Sequence, residues 1–193
     1  MITDLLNRKQ KEKLILRHFK EKDVLFHEDE ECHYLSIIIK GKIIISSYLP
    51  DGKELIYNNL SDGEMFGNNL LFSDDTRYKG DIIAESDGEI YLIEKDNLLS
   101  ILTENKEFLK EYLRFQSEFA KSLNSRIKLL SFDNAKERFL FYMYSKDGKI
   151  EYDSVSSLAK TLFMERETLS RLLGRLEKEK IIYRDTHTIT MYN

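Results

Sequence analysis

Between residues 24 and 93 the chain runs as short apolar segments broken by turn residues. The segments fall at residues 24–26, 34–39, 43–48, 55–60, 82–84 and 90–93, with Gly41, Asp51-Gly52, Asp62-Gly63 and Asp87-Gly88 between them. Asp tolerates turn geometry through its own side-chain bonds and Gly tolerates positive φ, so Asp-Gly between apolar runs is a strong local hairpin cue. Strands of this length and spacing predict a small antiparallel barrel or jelly roll. The pattern then changes. Neither Gly nor Pro occurs from residue 96 to residue 130, and Leu109, Tyr112, Phe115, Phe119, Leu123, Ile127 and Leu130 recur at steps of three and four, the period of a helix with one apolar side. A helix of about 25 residues rising ~1.5 Å each reaches past a domain of this size. Its seam, Tyr112, Phe115, Phe119, Leu123, Ile127 and Leu130, is therefore expected to meet a second copy of the same helix.

Residues 135–144 (AKERFLFYMY) predict a further amphipathic helix, closed by the turn at Asp147-Gly148. The stretch SVSSLAKTLFMERETLSRLLGRLEKEKII, residues 154–182, fits two helices joined by a tight turn, with Leu158, Leu162, Met164, Leu169 and Leu172 facing inward and small Ala159 at the crossing. That is the spacing of a helix-turn-helix. On a wheel of about 100° per residue with Arg166 at zero, Ser170, Glu167 and Arg171 lie at roughly 40°, 100° and 140°. Leu172, Leu176, Leu169 and Leu173 lie opposite, at roughly 240° to 340°. Arg can bond guanine O6 and N7 together, Glu can accept from cytosine N4, and Ser can donate or accept. These groups cluster in the first turns, the end of such a helix that enters a major groove. Gly174, on the same face, leaves room for the groove wall, and Arg175 lies within reach of phosphate. The final residues, IIYRDTHTITMYN, alternate and predict a terminal hairpin, or wing. A solvated charged face is the competing reading of the same helix.

Composition narrows the function classes. The chain has 193 residues, 41% hydrophobic and 33% charged, a globular make-up. The first 105 residues carry 13 basic and 21 acidic side chains, residues 106–150 carry 10 and 6, and residues 151–193 carry 7 of each. A polyanion is thus expected to meet the second half. The single cysteine, Cys32, permits no internal disulfide and no Cys-ligated zinc or iron-sulfur cluster within one chain. His18, His27, His33 and His187 show no paired ligand spacing, so no metal site is expected. The N-terminus lacks a signal-peptide pattern and no apolar stretch is long enough to span a bilayer, so a cytoplasmic protein is expected.

The run YLSIIIKGKIIISSYLPDGKELIYNNLSDGEMFGNNLLF, with Gly41, Gly52, Gly63 and Gly67, resembles the roll segment of Crp/Fnr transcription regulators, and RETLSRLLGRLEKEKII resembles their recognition helix. The resemblance covers nearly the whole chain. It implies an α+β fold: an N-terminal double-stranded β-helix or jelly roll acting as a cyclic-nucleotide-binding-like sensor (1–105), a long dimerisation helix (106–131) and a C-terminal winged helix-turn-helix (132–193). It implies a sequence-specific regulator that binds a near-palindromic DNA operator as a homodimer and, if it activates, meets RNA polymerase. Arg166, Glu167 and Arg171 then stand where the family contacts bases, and Ser170 where its Fnr branch does; no catalytic residue is implied. The effector pocket would be formed around Gly63, Glu64, Phe66, Gly67, Asn68, Tyr78 and Lys79. In relatives that bind cyclic AMP, a Glu holds the ribose and an Arg-Ser pair holds the phosphate; here Asn68 replaces the Glu, and Tyr78 and Lys79 replace the pair. A point charge does not replace a guanidinium fork, which argues against cyclic AMP and leaves a different small molecule, or none, in the roll. A second departure is Phe163, where the family usually has glycine between the helices. Two alternatives remain open from the residues: a cyclic-nucleotide signalling module that does not bind DNA, and a cupin-like metal enzyme using His27 and His33.

Overall fold

The six predicted strands and two unpredicted ones form two four-stranded antiparallel sheets in the first of two units, Met1–Glu118, and the second unit is Phe119–Asn193. The computed structural model describes residues 1–52 and 54–192; Asn193, the last residue of the predicted wing, lies outside them.

In the first unit the short helix α1 (Arg8–Lys11) precedes strands β1 (Ile15–Phe19), β2 (Val24–Phe26), β3 (Tyr34–Lys40), β4 (Ile43–Tyr48), β5 (Glu54–Leu60), β6 (Met65–Phe66), β7 (Asp81–Ala84) and β8 (Gly88–Glu94). One sheet has the order β1-β8-β3-β6 and the other β2-β7-β4-β5, a roll in which sequence neighbours are shared between sheets. The inward residues Leu35, Ile37, Ile38, Ile43, Ile82, Ile90 and Ile93 are almost wholly buried. Burial runs unbroken from Leu35 to Ile38, because β3 lies between β8 and β6 in its sheet and also packs against α2 (Lys95–Glu104). Phe26 stacks on Tyr78 at 5.1 Å between ring centres and meets Phe66 edge-on at 6.1 Å. Gly88 is required by crowding: a Cβ there would lie 2.1 Å from the Lys40 carbonyl oxygen.

The long helix expected at residues 106–131 is preceded by a separate, shorter one. α2 (Lys95–Glu104) ends at Asn105, whose backbone is extended, and α3 (Lys106–Leu130) begins immediately after it. Asn105 Oδ1 accepts from the Phe108 amide at 3.0 Å. Short polar side chains compete with the helix for backbone partners and favour caps, so the break arises without Gly or Pro. Leu98 and Ile101 of α2 and Phe108 and Tyr112 of α3 complete the core of the roll. Strand β1, before the first predicted strand, pairs with β8 along its full length.

The second unit contains the latter part of α3, then α4 (Ala135–Tyr144), β9 (Lys149–Glu151), α5 (Val155–Thr161), α6 (Arg166–Lys178), β10 (Ile182–Arg184) and β11 (Thr188–Met191). Phe139, Met143, Leu162, Leu169, Leu173, Leu176 and Ile189 form its centre, each fully buried. The predicted wing hairpin β10–β11 gains a third strand, β9, on the β11 side. Ser154 Oγ caps α5 by accepting from the Ser157 amide at 3.0 Å, and Asn134 Oδ1 caps α4 by accepting from the Lys136 amide at 2.8 Å. Among the described residues no helix is long and apolar enough to cross a membrane.

Candidate nucleic-acid interface

α6 is amphipathic in the sense that the wheel predicts. Leu169, Leu172, Leu173 and Leu176 are buried against α4 and α5, whereas Arg166, Glu167, Ser170, Arg171 and Arg175 are all exposed. Gly174 is half-buried, and a Cβ built there meets nothing within 4 Å, so the middle of the face is low and open. The Arg171 Nε points back along its own helix to the Glu167 carbonyl at a loose 3.4 Å, a contact that it can give up to a stronger acceptor. Three guanidiniums, one carboxylate and one hydroxyl on the exposed side of a helix suit hydrogen bonding to base edges and phosphates. Of the expected interior residues of the helix pair, Leu158, Ala159, Leu162, Leu169 and Leu172 are buried and Met164 is half-buried.

The turn between α5 and α6 accounts for the departure at Phe163. Its φ is +51°, the left-handed region that bulky L-residues rarely enter. The geometry that glycine adopts freely is thus kept here by a phenylalanine. The Phe163 and Met164 amides close the turn by donating to the Lys160 and Ala159 carbonyls at 3.1 Å each.

In the roll, the residues around Gly67 are committed to the protein itself. The Gly63 amide donates to the Ile38 carbonyl at 2.8 Å, and the Glu64 carboxylate accepts from the Ser61 amide and hydroxyl at 2.8 and 3.0 Å. Phe66 is buried, and Gly67 has φ +80° with the Tyr34 carbonyl oxygen 2.5 Å from where a Cβ would sit. Asn68, buried, donates from Nδ2 to Gln116 Oε1 at 2.6 Å, and Gln116 Nε2 donates to the Asn68 carbonyl at 3.1 Å and to the Tyr112 hydroxyl at 2.9 Å. Tyr78 packs in the core, where burial raises its hydroxyl pKa well above the ordinary value. Lys79 pairs with Asp75, and Arg77 donates to the Asp29 carbonyl at 2.6 Å. Both cations near the expected phosphate position therefore already have protein partners. Burial also raises the Cys32 thiol pKa, and its Sγ faces the Tyr34 carbonyl at 3.4 Å. Among the described residues no three His, Cys, Asp or Glu side chains converge as a metal site would need.

The stripe on α3 divides into two. Tyr112 is buried in the core of its own unit and Phe115 packs half-buried against it. Leu123, Ile127 and Leu130 are 41%, 65% and 52% exposed, and Leu113, absent from the expected stripe, is 53% exposed. Leu109, Leu113, Gln116, Ala120, Leu123, Ile127 and Leu130 follow an alternating four-three spacing, the heptad pattern of a coiled-coil seam. Phe119 flanks that line and is half-buried. A 3.6-residue period cannot separate the two stripes, but the 3.5-residue repeat could have identified Leu113 and Gln116.

Residues 16–105 match the family described as Cyclic nucleotide-binding domain. The chain is 26% identical over 177 residues to the anaerobic regulatory protein of Bacillus subtilis, covering 86% of this chain and 74% of that one. It is 22% identical over 187 residues to the cAMP-activated global transcriptional regulator CRP of Haemophilus influenzae, covering 92% and 84%. Among solved structures, a CooA mutant from Carboxydothermus hydrogenoformans aligns with a TM-score of 0.74 at 19% identity, over 97% of this chain and 87% of that one. CprK in complex with OCPA aligns with a TM-score of 0.72 at 17% identity, over 96% and 90%.

Proposed function

We propose that this chain, similar along nearly its whole length to Crp/Fnr-type transcription regulators, is itself a homodimeric regulator that reads a near-palindromic operator. The observation that carries this reading is the exposed face of α6, where Arg166, Glu167, Ser170 and Arg171 stand clear of the protein while four leucines anchor the opposite face. Arg175, one turn further on, is assigned to phosphate. Residues 132–193 serve as the DNA-binding part, residues 106–131 as the dimerisation helix and residues 1–105 as the sensor. RNA polymerase is the expected further partner if the protein activates.

The dimer forms along the heptad line from Leu109 to Leu130. Two copies of a fixed helix pair then present their recognition helices about 34 Å apart, one turn of duplex. Arginine favours guanine through paired bonds to O6 and N7, so G·C pairs are expected in each half-site.

The roll works without cyclic AMP. A cyclic phosphate needs a fork of donors, and the two nearest cations are held by Asp75 and the Asp29 carbonyl. Any effector is a different small molecule, sensed through the contact of Asn68 with Gln116 and Tyr112.

The test is an electrophoretic titration of a duplex selected by the protein from random DNA, comparing wild type with Arg166→Ala/Arg171→Ala. The reading expects the double variant to bind the selected duplex no better than a scrambled one. Equal affinity of wild type for both duplexes would overturn it.

A further inference from the structure

The left-handed turn that aims α6 is held by a guanidinium outside the helix-turn-helix. Arg138 lies in α4, and its Nη1 donates to the Phe163 carbonyl at 2.7 Å and to the Leu162 carbonyl at 3.3 Å. Its Nη2 donates to the Phe132 carbonyl at 2.6 Å, in the link between α3 and α4. Three carbonyls from two separate loops thus converge on one side chain.

Each of these carbonyls needs a partner. Leu162 is the C-cap of α5, and the carbonyls at a helix C-terminus have no intrahelical donors. Phe163 sits at φ +51° without glycine's freedom, so its conformation persists only where its surroundings fix it. Phe132 follows the last turn of α3, its amide donating to the Leu129 carbonyl at 3.4 Å.

We infer that Arg138 is a positioning residue for DNA reading: it locks the Phe163 turn in the left-handed form and ties it to the link after α3, thereby fixing the angle at which α6 presents Arg166 and Arg171. The role requires a planar fork. Two nitrogens on a rigid plane reach two loops together, whereas a lysine ammonium is a single point donor on a flexible stem. The clamp touches no base. Its effect is on alignment, and alignment separates specific from nonspecific binding, because phosphate contacts tolerate shifts that paired base contacts do not.

This inference rests on the DNA-reading function proposed above, and its test separates the two. The full-length protein first selects a duplex from random DNA; wild type, Arg138→Lys, Phe163→Gly and the double variant are then titrated with that duplex and with a scrambled one of equal length. Misalignment of one paired base contact changes discrimination by roughly 5- to 150-fold, so Arg138→Lys is expected to lower the ratio of specific to scrambled affinity at least about fivefold. Affinity for the scrambled duplex should stay near wild type. Phe163→Gly should return part of the ratio to Arg138→Lys, since glycine enters the left-handed turn without strain. A simple loss of folded protein would lower both affinities equally, which overturns the positioning role. In the absence of DNA, hydrogen exchange at the Phe163 and Met164 amides should speed up in Arg138→Lys while the α6 interior stays protected; unchanged exchange at these amides also overturns the inference. Failure of wild type to select any sequence overturns the DNA-reading premise and the role together, whereas selection by wild type with an unchanged ratio in Arg138→Lys overturns the role alone.

Discussion

Ile127→Asp should take the dimer apart while leaving each subunit folded. Ile127 is 65% exposed on the single chain and lies near the C-terminal end of the heptad line, between Leu123 and Leu130. Burying an isoleucine fully is worth about 1.5–3 kcal/mol; with 65% of Ile127 left to bury and two copies in a symmetric dimer, the apolar loss alone comes to about 2–4 kcal/mol. That weakens the dimer constant by roughly thirtyfold to a thousandfold, before the cost of placing two carboxylates in an apolar seam. Ser125→Asp is the matched control. Ser125 is exposed and lies roughly 160° around the helix from Leu109, and its hydroxyl bonds only to the Lys121 carbonyl of its own helix among the contacts described. Sedimentation velocity at micromolar concentration should show monomers for Ile127→Asp and dimers for Ser125→Asp, with the same helix content by circular dichroism. An Ile127→Asp protein that remains as dimeric as wild type would refute the heptad seam.

Other consequences can be checked separately. Arg171→Ala should cost about 1–3 kcal/mol on the selected duplex and relax choice at one base pair, while Lys178→Ala should weaken all DNA alike and lower the slope of affinity against salt; both are read by titration at several salt concentrations. Asn68→Ala leaves Gln116 Oε1 without its donor and should lower stability in urea by about 1–3 kcal/mol; an unchanged midpoint would mean that the contact is idle. The Arg184 guanidinium bonded to Glu177 holds that carboxyl below its ordinary value near 4.5. A depressed folded-state pKa contributes stability above the unfolded value and loses it as pH falls through the folded one. The pair is nearly a third exposed, so its worth is at most about 1 kcal/mol. Thermal unfolding of Glu177→Gln should therefore fall short of wild type above the ordinary carboxyl value near 4.5, and the difference should close as pH falls through the depressed folded-state value.

Much of the architecture can be read from the sequence because the signals are local. Asp-Gly turns bounded the roll strands, and the four leucines of α6 fixed its buried face. The elements that escaped had little apolar pattern to show. β1 exposes Ile15 and Leu16 and buries only Phe19; β6 has two residues and β9 three. The break at Asn105 depends on a side-chain cap and not on a change of period. For α3, the sequence shows that one side is apolar but not which neighbour covers each residue: Tyr112 is buried within its own unit, whereas Ile127 is 65% exposed. Arg138 had no signal at all: an arginine on an amphipathic helix looks like a solvated charge until the chain folds three carbonyls around it.

The central claim is that paired α6 helices read DNA sequence, and selection of duplexes from a random pool by the full-length protein tests it most directly. The account predicts enrichment of an inverted repeat whose halves are centred about 10 base pairs apart, each containing a G·C pair that Arg171→Ala no longer selects. A pool that stays random after repeated rounds, or that yields a single unrepeated motif insensitive to Arg166 and Arg171, would contradict it.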